Sequence, residues 1–341
     1  MQEKKLKELL MEGTHMNWED SNNILKIGII GAGFAAGVHS KALKSIDCSI
    51  RQYIFDVNGE VAKRFSDEYD CKVVKTLDDL FDSVDAVIIA TPVWTHSDLV
   101  RKALNHNKHI LCEKPMAQSC AEAKEMCNLA EITNVICAVG FNYRFFDITK
   151  SLQNEIKNTT VEEIHLSVRR LFRNDWRRDE NSVLSDLGIH LIDLLSILSG
   201  GEIDADRCKT QMKYINACDY ESIVKGYTDN NIAFCLEAAR IDNPKDVRFF
   251  VQIKCDKKII EYDSRTMQIY SVTEGDKTHT KSLSKEINKV DFFDFYDSIM
   301  LQDKEWVAAI RGKNNFVVAS FNDGYQSQIA LDRLFQLNDS R

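Results

Sequence analysis

The stretch Lys26-Ile-Gly-Ile-Ile-Gly-Ala-Gly-Phe-Ala-Ala-Gly-Val-His39 constrains this chain more than any other part of it. An apolar run over residues 27–30 ends in Gly31-Ala32-Gly33-Phe34-Ala35-Ala36, after which residues 35–43 follow helical spacing. The pattern predicts a strand, a tight turn and a helix. Gly31 permits the turn, Gly33 lets the backbone approach a pyrophosphate, and Ala36 is small enough for the helix to lie close on the strand. Phosphate oxygens placed there would meet free N–H groups and the positive end of the helix dipole. Glycines also end strands with no ligand in view, so a second signal is needed. It comes from a second strand-like run, residues 49–55, which stops at Asp56. A carboxylate roughly 20 residues past the glycines can accept hydrogen bonds from both hydroxyls of an adenosine ribose. The two features together predict a dinucleotide-binding unit.

From residue 25 the chain alternates. Strands are predicted at 26–30, 49–55, 71–74, 85–90, 108–112 and 135–140, with helices at 34–45, 58–69, 77–81, 95–105 and 117–131 between them. Such alternation calls for a parallel sheet with helices on both faces. Two of only three prolines, Pro92 and Pro115, directly follow strands, at the carboxyl edge where an open α/β sheet binds its ligand. After about residue 160 the pattern changes to a strand at 161–171, an apolar helix at 184–198 and a succession of strands over 207–272, which imply an antiparallel sheet. Helices at about 291–311 and 322–337 close the chain. The expected division is an extension over 1–23 carrying the amphipathic Leu6, Leu9 and Leu10, a dinucleotide-binding domain over 24–145, and an α+β domain over 146–341, which the resemblance described below makes a Rossmann domain and a substrate-binding and oligomerisation domain.

Several function classes are disfavoured by composition. With 44 Lys and Arg against 52 Asp and Glu the net charge is −8, a poor basis for binding nucleic acid or an anionic membrane. No apolar stretch approaches the roughly 18 residues that span a bilayer, and the first ten residues lack the apolar core of a signal peptide. The ten cysteines include no CxxC pair and no Cys/His group at zinc spacing, so no metal is expected and reduced thiols in the cytoplasm are.

Two constellations carry chemistry. The run 108–112 ends in Glu113-Lys114-Pro115. An ammonium at that edge can stabilise the charge that develops on a substrate oxygen as hydride leaves or arrives, although a turn lysine on the surface would read the same. The second is Asp186-Leu-Gly-Ile-His190-Leu-Ile-Asp193. On a helix Asp186 and His190 share a face, so the carboxylate can orient an imidazole suited to taking a proton from an alcohol. Taken alone, the pair reads more readily as a helix cap followed by a core histidine. Arg169, Arg170, Arg173, Arg177 and Arg178 crowd a short stretch and suit a phosphate or carboxylate. Strand alternation sends Arg169 and Arg170 to opposite faces, however, so they cannot share one pocket.

The glycine loop, Thr91-Pro92 followed by His96, Glu113-Lys114-Pro115 and Asp186-x-x-x-His190 resemble, in order and spacing, the glucose-fructose oxidoreductase / inositol dehydrogenase family (Gfo/Idh/MocA). The resemblance implies a Rossmann parallel sheet followed by a large, open, mostly antiparallel sheet whose face makes a homodimer or homotetramer contact. It implies NAD, with NADP possible, and a sugar-like substrate, a sugar derivative or cyclitol oxidised at a ring hydroxyl. Lys114 corresponds to the family's substrate-hydroxyl lysine, Asp186 to its substrate-positioning acid and His190 to its general base. Gly31, Gly33, Phe34, Ala35, Asp56, Thr91, Pro92, His96, Glu113 and Lys114 correspond to cofactor contacts. Asn142, Tyr143, Arg144, Trp176 and Arg177 correspond to the substrate pocket. Asn181-Ser182-Val183 stands where many relatives carry a glycine run, so the pocket wall is expected to differ. Two rivals stay open: reduction of a C=C or C=N bond, and a non-catalytic dinucleotide sensor.

Overall fold

The computed structural model describes residues 24–172, 182–215, 217–273, 276–282, 295–312 and 319–339. The expected extension over 1–23, and with it Leu6, Leu9 and Leu10, lies outside them, as do Arg173, Trp176, Arg177 and Arg178.

The first half builds a seven-stranded sheet from β1 (Leu25–Ile30), β2 (Ile50–Phe55), β3 (Lys72–Val73), β4 (Ala86–Ile89), β5 (His109–Cys112), β6 (Cys137–Val139) and, from far along the chain, β15 (Ala319–Ser320). Its order is β15-β6-β5-β4-β1-β2-β3, and every pair is parallel except β15 with β6. The helices between are α1 (Phe34–Ile46), α2 (Gly59–Tyr69), α3 (Leu77–Ser83), α4 (His96–Asn105) and α5 (Cys120–Glu131). β4 is apolar along its whole length because it lies mid-sheet with helices on both faces; all four residues are completely buried. The chain leaves β1 toward β2 and β3, then crosses back to β4 on the other side. A cleft opens where the order reverses, beyond the carboxyl ends of β1 and β4.

Local chemistry starts most of these helices. The Asn58 side chain accepts from the N–H groups of Glu60 and Val61 at 3.1 and 3.3 Å, Thr76 from Asp79 at 3.1 Å, and Ser119 from Glu122 at 3.3 Å. The cap of α1 is Gly33, which has no side chain to offer.

The second half adds α6 (Asp147–Ile156), β7 (Val161–Leu171), α7 (Ile189–Ser199), β8 (Ile203–Ile215), β9 (Cys218–Thr228), β10 (Ala233–Ile241), β11 (Arg248–Cys255), β12 (Ile259–Asp263), β13 (Gln268–Thr273) and β14 (Asp276–Ser282). The strands form an eight-stranded sheet, β14-β13-β12-β11-β7-β10-β9-β8, antiparallel except for the β7/β10 pair. Ile164, Leu166 and Val168 on one face of β7 are fully buried and join one core with Leu191, Leu194 and Leu195 of α7. The alternate residues His165, Ser167 and Arg169 point to the opposite face.

The chain then returns to the first sheet. α8 (Phe295–Ile310) packs on α1, and Trp306, fully buried, shares a core with Ile27, Ile29 and Leu111. β15 pairs with β6, Ala319 facing Val139, before α9 (Phe321–Asp339) ends the described chain. α8 and β15 thus complete the dinucleotide unit in space, although a division at residue 145 assigns them to the second. No helix among the described residues is long and apolar enough to cross a membrane.

Candidate active site

The cleft at the carboxyl edge of the first sheet encloses about 1380 Å³. At one end is the glycine turn. Gly31 has φ +93°, and a Cβ there would sit 2.7 Å from the carbonyl oxygen of Ala90, so only glycine fits. A Cβ on Gly33 would meet nothing within 4 Å. Packing within the protein therefore does not require glycine at that place, whereas close approach of a ligand to the backbone would. Asp56 lies on the same wall; its Oδ2 accepts from Ala32 N–H at 2.9 Å and its Oδ1 from Asn58 N–H at 2.8 Å, which fixes the carboxylate beside the glycine turn. Gly31, Gly33, Phe34, Ala35, Asp56, Thr91 and Pro92 all line the cleft, and the ring of Phe34 stacks on Phe295 of α8 at 6.2 Å. Lys63, on the helix that follows Asp56, pairs with Asp67 of the same helix.

His96 is a correction. It is buried, with Nδ1 3.0 Å from the Pro115 carbonyl and Nε2 2.9 Å from the Thr91 carbonyl, so it ties two cleft loops together from behind instead of lining the cleft. Burial pulls its pKa below the ordinary value. Glu113 does line the cleft, but its Oε1 lies 3.1 Å from Nε2 of His39, whose Nδ1 in turn lies 2.8 Å from Asp303 Oδ2 on α8. Burial opposes a charge on His39, yet Asp303 and Glu113 together raise its pKa to about 10.

Lys114 follows β5, three strand positions from β2, which at the usual strand spacing is about 14 Å from the end that carries Asp56. The Lys114–Pro115 peptide bond is cis. The ammonium donates to Asp186 Oδ1 at 2.6 Å and to the Asp186 carbonyl at 2.9 Å, and the other carboxylate oxygen accepts from Arg240 of β10. Burial would raise the Asp186 pKa; Lys114 and Arg240 hold it far below the ordinary carboxylate range. Arg240 lines the cleft and escaped the sequence reading, since a lone arginine in a strand carries no motif.

Asp186 does not orient His190. Residues Leu184–Gly188 form a π-helical turn before α7, which widens the spacing assumed for a pair four apart on an α-helix. The carboxylate is turned to Lys114 and Arg240. His190 lies on the cleft wall with Nδ1 buried and without a hydrogen-bond partner, and its ring stacks flat on Tyr143 at 4.2 Å and 5°. Burial, and then the Lys114 ammonium, push its pKa well below 6.5, so the imidazole is neutral at neutral pH.

Of the Asn142-Tyr143-Arg144 segment, a short 3-10 turn, only Asn142 lines the cleft, with its amide donating to Ser298 Oγ at 2.8 Å. Tyr143 is buried behind His190, and Arg144 turns away to Asp193, with Nε 2.9 Å from Oδ2. Neither is placed for direct substrate contact: the buried Asp193 carboxylate draws the guanidinium inward. Arg170 lines the cleft, while Arg169 on the opposite face lies 3.7 Å from Glu237, as strand alternation requires.

The cleft thus carries the glycine turn and Asp56 at one end and Lys114, Asp186 and a neutral His190 on its far wall. Residues 25–141 match the Gfo/Idh/MocA family model, described as an oxidoreductase family with an NAD-binding Rossmann fold. The chain is 31% identical over 338 residues to glucose-6-phosphate 3-dehydrogenase of Bacillus subtilis, covering 91% of this chain and 95% of that one. It is 30% identical over 189 residues to myo-inositol 2-dehydrogenase of Thermotoga maritima, covering 53% and 56%. Among solved structures it superposes with TM-score 0.81 on an oxidoreductase from Agrobacterium radiobacter in complex with NAD+, L-tartaric acid and magnesium, at 18% identity over 94% of this chain and 98% of that one. Levoglucosan dehydrogenase in complex with NADH gives 0.79 at 18% identity over 93% and 97%; both are likenesses of fold. The chain belongs to the Gfo/Idh/MocA family and is an NAD-dependent oxidoreductase.

Proposed function

We propose that this enzyme oxidises a secondary hydroxyl of a sugar carrying an anionic group, with a hexose phosphate as the first candidate. The observation that carries the chemistry is the Lys114 ammonium fixed by Asp186 on the same cleft wall as a neutral His190. Lys114 donates a hydrogen bond to the substrate oxygen and stabilises its developing negative charge. His190 receives the hydroxyl proton at Nε2, because Nδ1 is buried in the protein. Asp186, ionised between two cations, positions Lys114. NAD+ bound along the glycine turn supplies the hydride acceptor. Asn142 contributes to the substrate wall, and Asp56 selects NAD over NADP by repelling a 2′-phosphate.

The anionic group is supported by Arg170 and Arg240, which line the cleft, and by the likeness, over 91% of this chain, to a glucose-6-phosphate 3-dehydrogenase. Ten free cysteines suit a reducing cytoplasm. The broad second sheet suits a homodimer or homotetramer.

Absorbance at 340 nm, followed with NAD+ and a panel of hexose phosphates, free hexoses, cyclitols and nucleotide sugars, tests the reading. A rise with a hexose phosphate is expected, with kcat/KM about tenfold or more above that for the matching free sugar, as befits a hydrogen bond to a charged group. Equal rates with the free sugar would remove the anionic class. Silence throughout, with NAD still binding, would point to a substrate outside the panel.

A further inference from the structure

The cleft accounts for neither of two features of the opposite sheet face, a cysteine between a histidine and a glutamate and a buried ring nitrogen with no partner. We propose that His165, Cys235 and Glu237 form a three-residue site for a borderline divalent cation of the zinc type, on the face of the second sheet turned away from α7.

The site is built by register. Cys235 of β10 pairs directly with His165 of β7, and Glu237 comes two residues later, so all three side chains project from one face. One ligand atom from each lies within 4.8 Å of the other two: His165 Nε2 is 3.3 Å from Glu237 Oε1, and Cys235 Sγ is 4.0 Å from the same oxygen. Ligands about 2.0–2.3 Å from a tetrahedral zinc stand roughly 3.3–3.8 Å apart, so small side-chain rotations would bring all three onto one ion. Imidazole, thiolate and carboxylate are all zinc donors, and three protein ligands leave a fourth position open.

A simple His–Glu ion pair explains less. It leaves out Cys235. It also leaves His165 Nε2 fully buried with no hydrogen-bond partner, although Glu237 Oε1 is within ion-pair distance. The nitrogen is close to the oxygen without pointing along a hydrogen bond to it, as happens when both face a common third point. The other carboxylate oxygen is already held: Oε2 accepts from Ser167 Oγ at 3.2 Å and lies 3.7 Å from Arg169 Nη2. These partners turn Oε1 toward His165 and Cys235, the supporting arrangement that orients metal-bound carboxylates. Zinc spacing along the sequence could not show this site, since its halves come from two strands about seventy residues apart that meet only in the sheet.

The full-length protein, stripped with chelator and titrated with Co2+ alone, tests the proposal. A single tight equivalent should bring the near-ultraviolet thiolate-to-cobalt band and the strong visible bands of a tetrahedral ion, and Zn2+ should bleach both. Cys235→Ala should abolish the near-ultraviolet band, and His165→Ala should weaken binding by about tenfold or more, whereas Cys48→Ala, which removes an exposed thiol elsewhere, should change neither. Far-ultraviolet circular dichroism and NAD binding establish that each variant is folded. No thiolate band in the parent protein, or a band that survives in folded Cys235→Ala, would overturn the site.

Discussion

Asp186 shows how position on one short turn decides a residue's work. Four residues from His190, it reads in sequence as that histidine's partner; the π turn hands it to Lys114 and Arg240 instead. The imidazole is left neutral, its basicity set by burial and the nearby ammonium. On this arrangement Lys114→Ala should lower kcat by about 10²-fold or more, the scale for losing a hydrogen-bond donor to the developing oxyanion, while NAD binding measured by calorimetry is little changed. A variant that keeps its turnover would refute the assigned role. The identities of Lys114, Asp186 and His190 were legible from motif order, but their pairings were not. Pairings depend on backbone details, such as a π turn, that spacing rules do not carry. Arg240 was invisible for a related reason: its only signal is the neighbour it meets across the cleft.

At the scale of elements, the turn between β1 and α1 separates two kinds of glycine. Gly31→Ala should destabilise the protein by on the order of 2 kcal/mol in urea unfolding, since a Cβ must adopt a positive φ and collide with the Ala90 carbonyl. Gly33→Ala should unfold at nearly the same urea concentration yet bind NAD more weakly, because the added methyl meets only the space a pyrophosphate would occupy. The opposite pattern would reverse their roles. The alternation of strands and helices through β6 could be read in advance because buried parallel strands are continuous apolar runs. Harder cases were α6, which the sequence reading passed over, and the first half of β8, where Asp204, Asp206 and Arg207 interrupt the apolar alternation. β15 and β14 were also missed; β15 is only two residues long and owes its existence to the β6 edge it completes.

Across the whole molecule, the buried chain Glu113–His39–Asp303 joins the loop of Lys114, the dinucleotide helix and the returning α8. His39 titrates near 10 in the folded protein and near 6.5 when unfolded, so its stabilising effect is complete below pH 6.5 and is lost as pH rises through 10. The stability difference between the parent protein and His39→Gln should therefore shrink between pH 6.5 and 10 in urea titrations; a constant difference would mean that His39 is uncharged when folded. Sequence could place His39 on α1 but could not reveal Asp303, which lies 264 positions away.

The late arrival of α8 and β15 has a consequence for biosynthesis. When residue 145 leaves the ribosome, β6 still has an open edge, and the carboxylate that will neutralise His39 has not been made. The nascent first half must wait, partly assembled and with an unpaired strand exposed, until the C-terminal segment emerges to close it. A chain cut at the apparent boundary would therefore keep β6 without the strand that pairs its edge and His39 without Asp303.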